Sequence, residues 1–451
     1  MHAKRLPIPA MMNLLRFLLP QPRLASNVVA AILATAICAS CAAPGAGPAA
    51  TPATGSHAAV QHATATAATP LDRAVRDVCD KRVVLLGEDS HHGGGGTLAA
   101  KTVLVSRLID ECGFSAVVFE SSLPEFVALN RAFAAGKASP AYVADAIGGL
   151  WSVAEESDPL ISSLFERASR KHVVLAGLDG QIGSTNLYAQ TGLADELAGY
   201  LADPRRSACQ AELQRYARWQ YDDASPFDDA TRVRLRGCLT EIETAVSGRA
   251  RSTPADEAAA MASAWQSAIE ASDPALPRGA GFNTRDRAMY QALQWHVARL
   301  PRDSKIIVWC ATIHAAKSLR GVPRLADFVP LGSYVNRDFG DAAAAIGISA
   351  LGGSYGRGKA LATTELVPAP ADSLEARAFI GDGGDGSSDA GYLGRADLAQ
   401  YGPGTARPLD YSKPLAAPWH EVIDGLLVLR EEHPLKVVHD PKPRRASLSA
   451  Q

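Results

Sequence analysis

The strongest constraint in this sequence is a set of short Val- and Ile-rich runs that do not alternate with polar residues. They are Val83-Val84-Leu85-Leu86, Ala116-Val117-Val118-Phe119, Val173-Val174-Leu175-Ala176, Ile306-Ile307-Val308-Trp309 and Ala344-Ala345-Ile346-Gly347-Ile348. A strand that is apolar throughout is buried on both faces, as in a parallel sheet covered by helices on both sides. Stretches of helical periodicity separate the runs, as βαβ crossovers require. The first spans Thr97 to Glu111, with Leu98, Leu104, Val105, Leu108 and Ile109 on one face and Gly113 as its stop. The expected fold is α/β: a mostly parallel central sheet flanked by helices. The runs do not fix strand order, so barrel and open sheet both stay open.

Around this core, residues 190–280 carry helical periodicity broken at Pro204, Pro226 and Pro254, and read as a mainly helical insertion or cap. Asn283 to Leu300 reads as a further helix, ended by Pro301. The Gly-rich stretch 381–394 reads as a mobile loop, and Val422 to Leu429 as an edge strand. The folded domain is expected over residues 70–435, with 436–451 as a disordered tail. A hydrophobic fraction of 47% supplies a sizeable core, and a net charge of -2 gives no footprint for nucleic acid.

The amino-terminal segment stands apart. Lys4, Arg5, Arg16 and Arg23 have no acidic neighbour, and the apolar run Asn27 to Ile37 is too short to span a bilayer comfortably. This is the pattern of an export signal. Cys38-Ala39-Ser40-Cys41 resembles the lipobox of bacterial lipoproteins, with Cys41 as acceptor. Residues 1–41 are therefore expected to be a signal or lipoprotein segment. The protein would be exported, either periplasmic or attached to the membrane through a lipidated Cys41. Residues 42–69, made of Ala, Thr, Pro and Gly, form a flexible tether.

The chemistry follows from position. Glu88, Glu120, Asp179 and His314 each follow an apolar run within a few residues. Ligands of parallel α/β folds bind at the carboxyl ends of the strands, so four ionisable groups should meet on one rim. The segment Gly87-Glu88-Asp89-Ser90-His91-His92-Gly93 adds two imidazoles and then enters a helix through Gly94, Gly95 and Gly96. Histidine titrates near neutrality and suits proton abstraction from water, and a carboxylate beside it orients the ring. The glycines would let backbone approach a ligand, and the helix N-terminus would stabilise an oxyanion. A phosphate-binding loop is disfavoured, because Ala100 stands where that motif needs Gly before Lys-Thr. Gly-x-Ser-x-Gly occurs nowhere, which argues against a serine nucleophile elbow.

The ordered set VVLLGEDSHHG, GFSAVVFE, LWSVAEE (150–156), GLDGQ (177–181), RDRAM (285–289), IIVWCATIHAAK (306–317) and FGDAAAAIGISALGGSY (339–355) resembles the erythromycin esterase family. The resemblance implies a hydrolase of ester bonds, which in the family's antibiotic-resistance members include macrolide lactones; some relatives carry a succinoglycan-biosynthesis label. It places the general base on His91, the motif acid on Glu88, the second-strand acid on Glu120, the second histidine on His314 and a basic helix residue on Lys101. His92 stands where the motif has glycine, so two imidazoles compete for the role of base. His92, Trp151, Glu155, Asp179 and Arg285 are expected to contact a small-molecule ester or lactone. No cofactor is expected.

In the reading from the residues, His91 takes a proton from water, Glu88 and Glu120 hold it, and Lys101, His314 or backbone N–H groups stabilise the oxyanion. Two other readings remain. Glu88, His91, Glu120 and His314 could ligate a divalent metal in a metal-dependent hydrolase. Alternatively, the cleft could serve a non-catalytic, haem-type binding lipoprotein. Cys79 could bridge Cys112, and Cys209 could bridge Cys238, if export places the chain in an oxidising compartment.

Overall fold

In the computed structural model the strands in chain order are β1 Val83–Leu86, β2 Phe114–Ser122, β3 Val174–Asp179, β4 Lys305–Trp309, β5 Ala343–Arg357, β6 Ala360–Glu365, β7 Ala390–Leu393, β8 Gly404–Ala406, β9 Leu415–Ala417 and β10 Gly425–Glu432. Residues 68–438 are described, apart from 184–185, 249–251, 358–359 and 381–387. The expected signal segment with Cys41, the tether up to residue 67, the first half of the Gly-rich loop and the tail beyond residue 438 lie outside the described residues.

The main sheet has the order β3-β2-β4-β1-β5-β10-β7, with β6 paired to β5. Strands β3 through β10 in this order run parallel, while β7 and β6 pair antiparallel. All five apolar runs are therefore strands of one open, mostly parallel sheet: four are interior, and the third forms the edge strand β3. The last run differs from its reading as an edge strand. As β10 it lies between β5 and β7, and Leu426, Leu427 and Val428 are fully buried. The end of the Gly-rich stretch is likewise ordered, since residues 390–393 form β7 against β10.

Helices cover both faces. They begin with α1 Pro70–Val78, α2 Gly95–Cys112, α3 Leu123–Ala134, α4 Pro140–Ile147 and α5 Asp158–Ser169. The insertion supplies α6 Ala194–Ala198, α7 Arg205–Ala217, α8 Asp229–Ser247 and α9 Thr253–Ala271, followed by α10 Ala280–Val297, α11 Thr312–Ala315 and α12 Leu331–Phe339. Because successive side chains of a strand point to opposite faces, β1 divides its residues between two cores. Val83 and Leu85 pack with α9, α10 and α12, whereas Val84 and Leu86 pack with α1, α2, α4 and α5. The insertion is thus part of one of the two main cores, through Met261, Trp265 and Ile269.

Two disulfides staple the periphery. Cys79–Cys112 joins the ends of α1 and α2, and Cys209–Cys238 joins α7 to α8. Each closes a loop of moderate length, which contributes on the order of 2–4 kcal/mol. Lys305 reinforces the first by donating to the Cys79 and Cys112 carbonyls.

The close approach of the insertion to the sheet is set at Gly180, directly after β3. A Cβ there would lie 1.8 Å from the Ala264 carbonyl oxygen of α9. Backbone cannot yield as a side chain can, so Gly180→Ala is expected to destabilise the fold by at least ~2 kcal/mol. A denaturant titration checks this, and an unchanged midpoint would contradict the packing.

Candidate functional site

The carboxyl end of β1 is pinned before it presents any chemistry. Gly87 N–H donates to Ile346 O at 2.7 Å, and Thr312 N–H donates to Glu88 O at 2.8 Å. The Glu88 side chain then turns into the protein. Its Oε1 accepts from Trp151 Nε1 at 2.6 Å and faces His92 Nδ1 at 2.9 Å, while Lys101 Nζ lies 3.5 Å from Oε2. Burial opposes the charge on Glu88, but Lys101 and His92 outweigh it and hold its pKa below the usual range. The same contact works in reverse on His92. Burial alone would depress its pKa, yet Glu88, helped by Glu120 and Asp89, raises it.

Lys101 is fully buried. Its ammonium donates to Cys310 O at 3.2 Å and sits 4.1 Å from the centre of the Trp309 ring. Burial lowers its pKa despite Glu88. It is therefore a counter-charge in the floor of the site, and its hydrogen bonds run to the protein.

The second half of the site is built around Arg285 of α10. Its guanidinium meets Asp179 Oδ2 through Nε at 3.1 Å and Nη2 at 2.6 Å, Glu120 Oε1 through Nη2 at 2.7 Å, and His314 Nε2 through Nη1 at 2.9 Å. Glu120 reaches this position because β2 bulges: Phe119 pairs with Gly177 and Ser122 with Asp179, so two residues of β2 oppose one of β3. Bulges beside functional sites re-aim side chains in this way. The other Glu120 oxygen accepts from Ala311 N at 2.9 Å. Burial opposes ionisation of Glu120, but His314 and Arg285 hold its pKa well below the usual range.

His314 is fixed from three sides. Nδ1 faces both Asp286 oxygens at 2.9 Å, Nε2 lies 3.2 Å from Glu120 Oε1, and the Phe282 ring stacks on it at 5.1 Å and 8°. Burial disfavours the imidazolium, yet Asp286 and Glu120 outweigh it and raise the pKa to about 9. Two cations, Arg285 and His314, thus lie among Glu120, Asp179 and Asp286. That arrangement leaves a metal ion little to do here, because a guanidinium already occupies the cation position at Glu120 and both His314 nitrogens have partners.

Most of the expected residues therefore converge: Glu88, Glu120, His314, Lys101, His92, Trp151, Asp179 and Arg285. His91 differs from the expectation that Glu88 and Glu120 hold it. Its Nδ1 faces Asp89 at 3.0 and 3.1 Å, Asp410 lies 3.8 Å away, and its ring rests on Tyr355 at 5.2 Å. The physical reason is the backbone. His92 has φ 53, so the chain turns between the two imidazoles and aims them at different acids. Asp89, His91 and Asp410, not the four residues expected as metal ligands, bring three donor atoms within 4.8 Å of one another. Asp89 is already engaged, however, by His91 N–H and Tyr411 N–H. Glu155 is exposed, on the turn before α5, and is not among the residues that contact one another here.

The glycine run also serves another purpose than the one expected. A Cβ at Gly93 would lie 2.2 Å from Gly356 O, at Gly94 2.5 Å from the Glu432 carboxylate, and at Gly95 2.6 Å from the His433 ring. The run admits backbone and side chains of β5, β10 and the strap after β10. The N-terminus of α2 is likewise filled, since Thr97 N–H and Oγ1 donate to Glu432 and Gly95 N–H to His433 O. An oxyanion would meet Glu432 there, which leaves the side chains of Lys101, Arg285 and His314 as the positive groups of the site.

Three residues were missed from sequence. Asp286 carried a readable signal, because it shares the buried stripe of α10 with Met289, Tyr290 and Leu293, where a charge needs a partner. Glu432 carried the same signal as Glu88, since it follows the apolar run ending at Leu429 within a few residues, but that run was read as an edge strand. Asp410 carried none, since the Gly- and Pro-rich sequence around it gives no period from which to place it.

Comparison with known proteins bears on this arrangement. The family model described as Erythromycin esterase matches residues 109–379. A solved structure described as a succinoglycan biosynthesis protein superposes with TM-score 0.60 at 16% identity, covering 82% of this chain and 92% of that one. A protein from Bacillus cereus gives 0.59 at 16%, covering 82% and 93%. An erythromycin esterase mutant in its open conformation gives 0.58 at 14%, covering 81% and 94%. These likenesses establish the shared fold. The family match begins inside α2, so Glu88, His91, His92 and Lys101 precede it.

The His314 pKa has a measurable consequence. A histidine raised to about 9 in the folded chain, from an ordinary value near 6.5, adds stability that is complete below pH ~6.5 and is lost as pH rises through ~9. Relative to His314→Asn, the native protein is expected to lose on the order of 3 kcal/mol between about pH 6 and about pH 10. Urea midpoints at both pH values test this, and a pH-independent difference would remove the imidazolium.

Proposed function

Because this chain belongs to the erythromycin esterase family, we propose that it is a hydrolase that cleaves an ester or lactone with water activated by an imidazole. The observation that carries this reading is the convergence, at the carboxyl ends of β1, β2, β3 and β4, of an imidazole–carboxylate pair and a separate cationic pair. His92 on Glu88 stands for the first, and Arg285 and His314, both paired with Glu120, for the second.

In the reaction an imidazole of the His91–His92 pair takes a proton from water. The oxygen bonds to the acyl carbon, and the carbonyl electrons move onto oxygen to give the tetrahedral oxyanion. Arg285 and the His314 imidazolium supply positive field to that oxyanion in a site from which water is largely excluded. Collapse breaks the acyl C–O bond, and the imidazolium returns its proton to the departing alkoxide. Glu120 and Asp286 act as positioning residues. Their oxygens are committed to Arg285, His314, Ala311 N–H and Leu331 N–H, so they hold the cations in place.

This mechanism needs no metal ion. Purified protein offered a panel of esters and lactones is expected to hydrolyse at least one in the presence of a chelator. Glu120→Gln, which uncouples Arg285 from β2, should lower that rate by ~100-fold or more. Silence on the whole panel, or full turnover by Glu120→Gln, would refute the reading.

We also propose that the chain is exported and carries lipid on Cys41. The two disulfides support an oxidising compartment. Cys41→Ser is expected to move the protein from the membrane to the soluble fraction on cell fractionation; unchanged partition would refute lipidation at that residue.

A further inference from the structure

We infer that in this chain the general base is His92, the residue standing where the family motif has glycine, and that His91 is a structural histidine. The inference rests on the hydrolase reading and assigns its central proton transfer.

The two rings differ in what surrounds them. His92 Nδ1 is bonded to Glu88 at 2.9 Å. Glu88 is itself immobilised by the Trp151 indole at 2.6 Å and faced by Lys101 at 3.5 Å. The ring also stands edge-on to Trp151, at 90° with centroids 5.4 Å apart. A carboxylate that takes the Nδ1 proton fixes the tautomer and leaves the Nε2 lone pair as the base. The field of Glu120, the acid that carries Arg285 and His314, also acts on His92.

His91 is turned the other way. Asp89, which takes its Nδ1, also accepts the His91 and Tyr411 backbone N–H groups. Its ring is covered by Tyr355 and approached by Asp410 at 3.8 Å. Its side chain is 8% exposed against 15% for His92. The assembly ties the β1 loop to Tyr355 of β5 and to the segment around Tyr411, which is a structural task.

The backbone points the same way. A non-glycine residue at φ 53 costs of order 1 kcal/mol. Glycine would hold this conformation without that cost, so the imidazole is retained at the expense of strain. Such outliers concentrate where a side chain is needed.

In the reaction, His92 Nε2 accepts the proton of the attacking water, the water oxygen bonds to the acyl carbon, and the same nitrogen then delivers the proton to the leaving alkoxide. Ester and water become acid and alcohol with the enzyme unchanged.

The informative variant is His92→Gly, which removes the ring while relaxing the backbone, so loss of activity cannot be ascribed to strain. With a reporter ester that the native protein hydrolyses, His92→Gly should lose ~100- to 10,000-fold in kcat, keep its melting temperature, and recover part of the rate when free imidazole is added. His92→Asn, which can still donate to Glu88, should be equally inactive. His91→Ala should keep kcat within about tenfold and lower the melting temperature. The opposite pattern, with His91→Ala inactive and His92→Gly active, would overturn the assignment while leaving the hydrolase reading intact. A native protein silent on every ester would instead remove that reading, and this inference with it.

Discussion

The structure depends on one largely enclosed guanidinium. Arg285 reaches from α10 across the carboxyl ends of three strands and meets Asp179 of β3, Glu120 of β2 and His314 beyond β4. Each acid would be costly where it lies if the cation were absent, because an unpaired buried charge loses several kcal/mol of solvation. The bulge in β2, the glycine after β3 that admits α9, and the short helix α11 that presents His314 all serve to bring these groups together. The helical insertion precedes α10 in the chain and shares its core, so the packing of α8 and α9 sets where Arg285 stands. Function and fold are therefore coupled through a residue far in sequence from the imidazoles of the β1 loop.

The parts of this arrangement that are legible in sequence are those governed by period and by end effects. Doubly buried strands need uninterrupted apolar runs, so β1 to β5 were readable, and a polar residue just past such a run has only the sheet's rim to occupy. Glu88, Glu120, Asp179 and His314 were found in that way. Arg285 entered only through a family-like motif. Its neighbour Asp286 was readable from the apolar stripe of α10 but was passed over beside a more conspicuous cation. The place of β10 was not readable, because a single apolar run at the end of a chain looks the same whether it closes the sheet or inserts within it. Only the antiparallel pairing of β7, formed from a segment dominated by glycine, makes β10 interior.

The direction of the two imidazoles was not legible for a different reason. Adjacent side chains diverge according to one backbone torsion, and no residue type at position 92 announces a positive φ; glycine would have, and histidine replaces it. Composition likewise misleads at Gly93 to Gly96. Glycines in front of a helix favour phosphate or oxyanion binding when the helix N-terminus is vacant. Here Glu432 and His433 lie against them, and they arrive from a strand more than three hundred residues later in the chain.

That capping has a chemical consequence. A helix N-terminus and a buried carboxylate neutralise one another, so α2 contributes no field to a substrate and Glu432 needs no other cation. Burial raises the Glu432 pKa against the hydrogen bonds of Thr97 and Tyr411 that oppose it, which marks a group engaged in holding the strap. On the proposed hydrolase reading, the positive charge an oxyanion requires must then come from side chains. The side chains near the strand ends that could do so are a guanidinium and an imidazolium, each aimed by acids that also offset its charge, with an imidazole held by a further acid. Both imidazoles are held toward the protonated form by their acids, His92 by Glu88 and His314 by Asp286 and Glu120, so what separates them is geometry: His314 is engaged through both ring nitrogens, whereas His92 meets its acid through Nδ1.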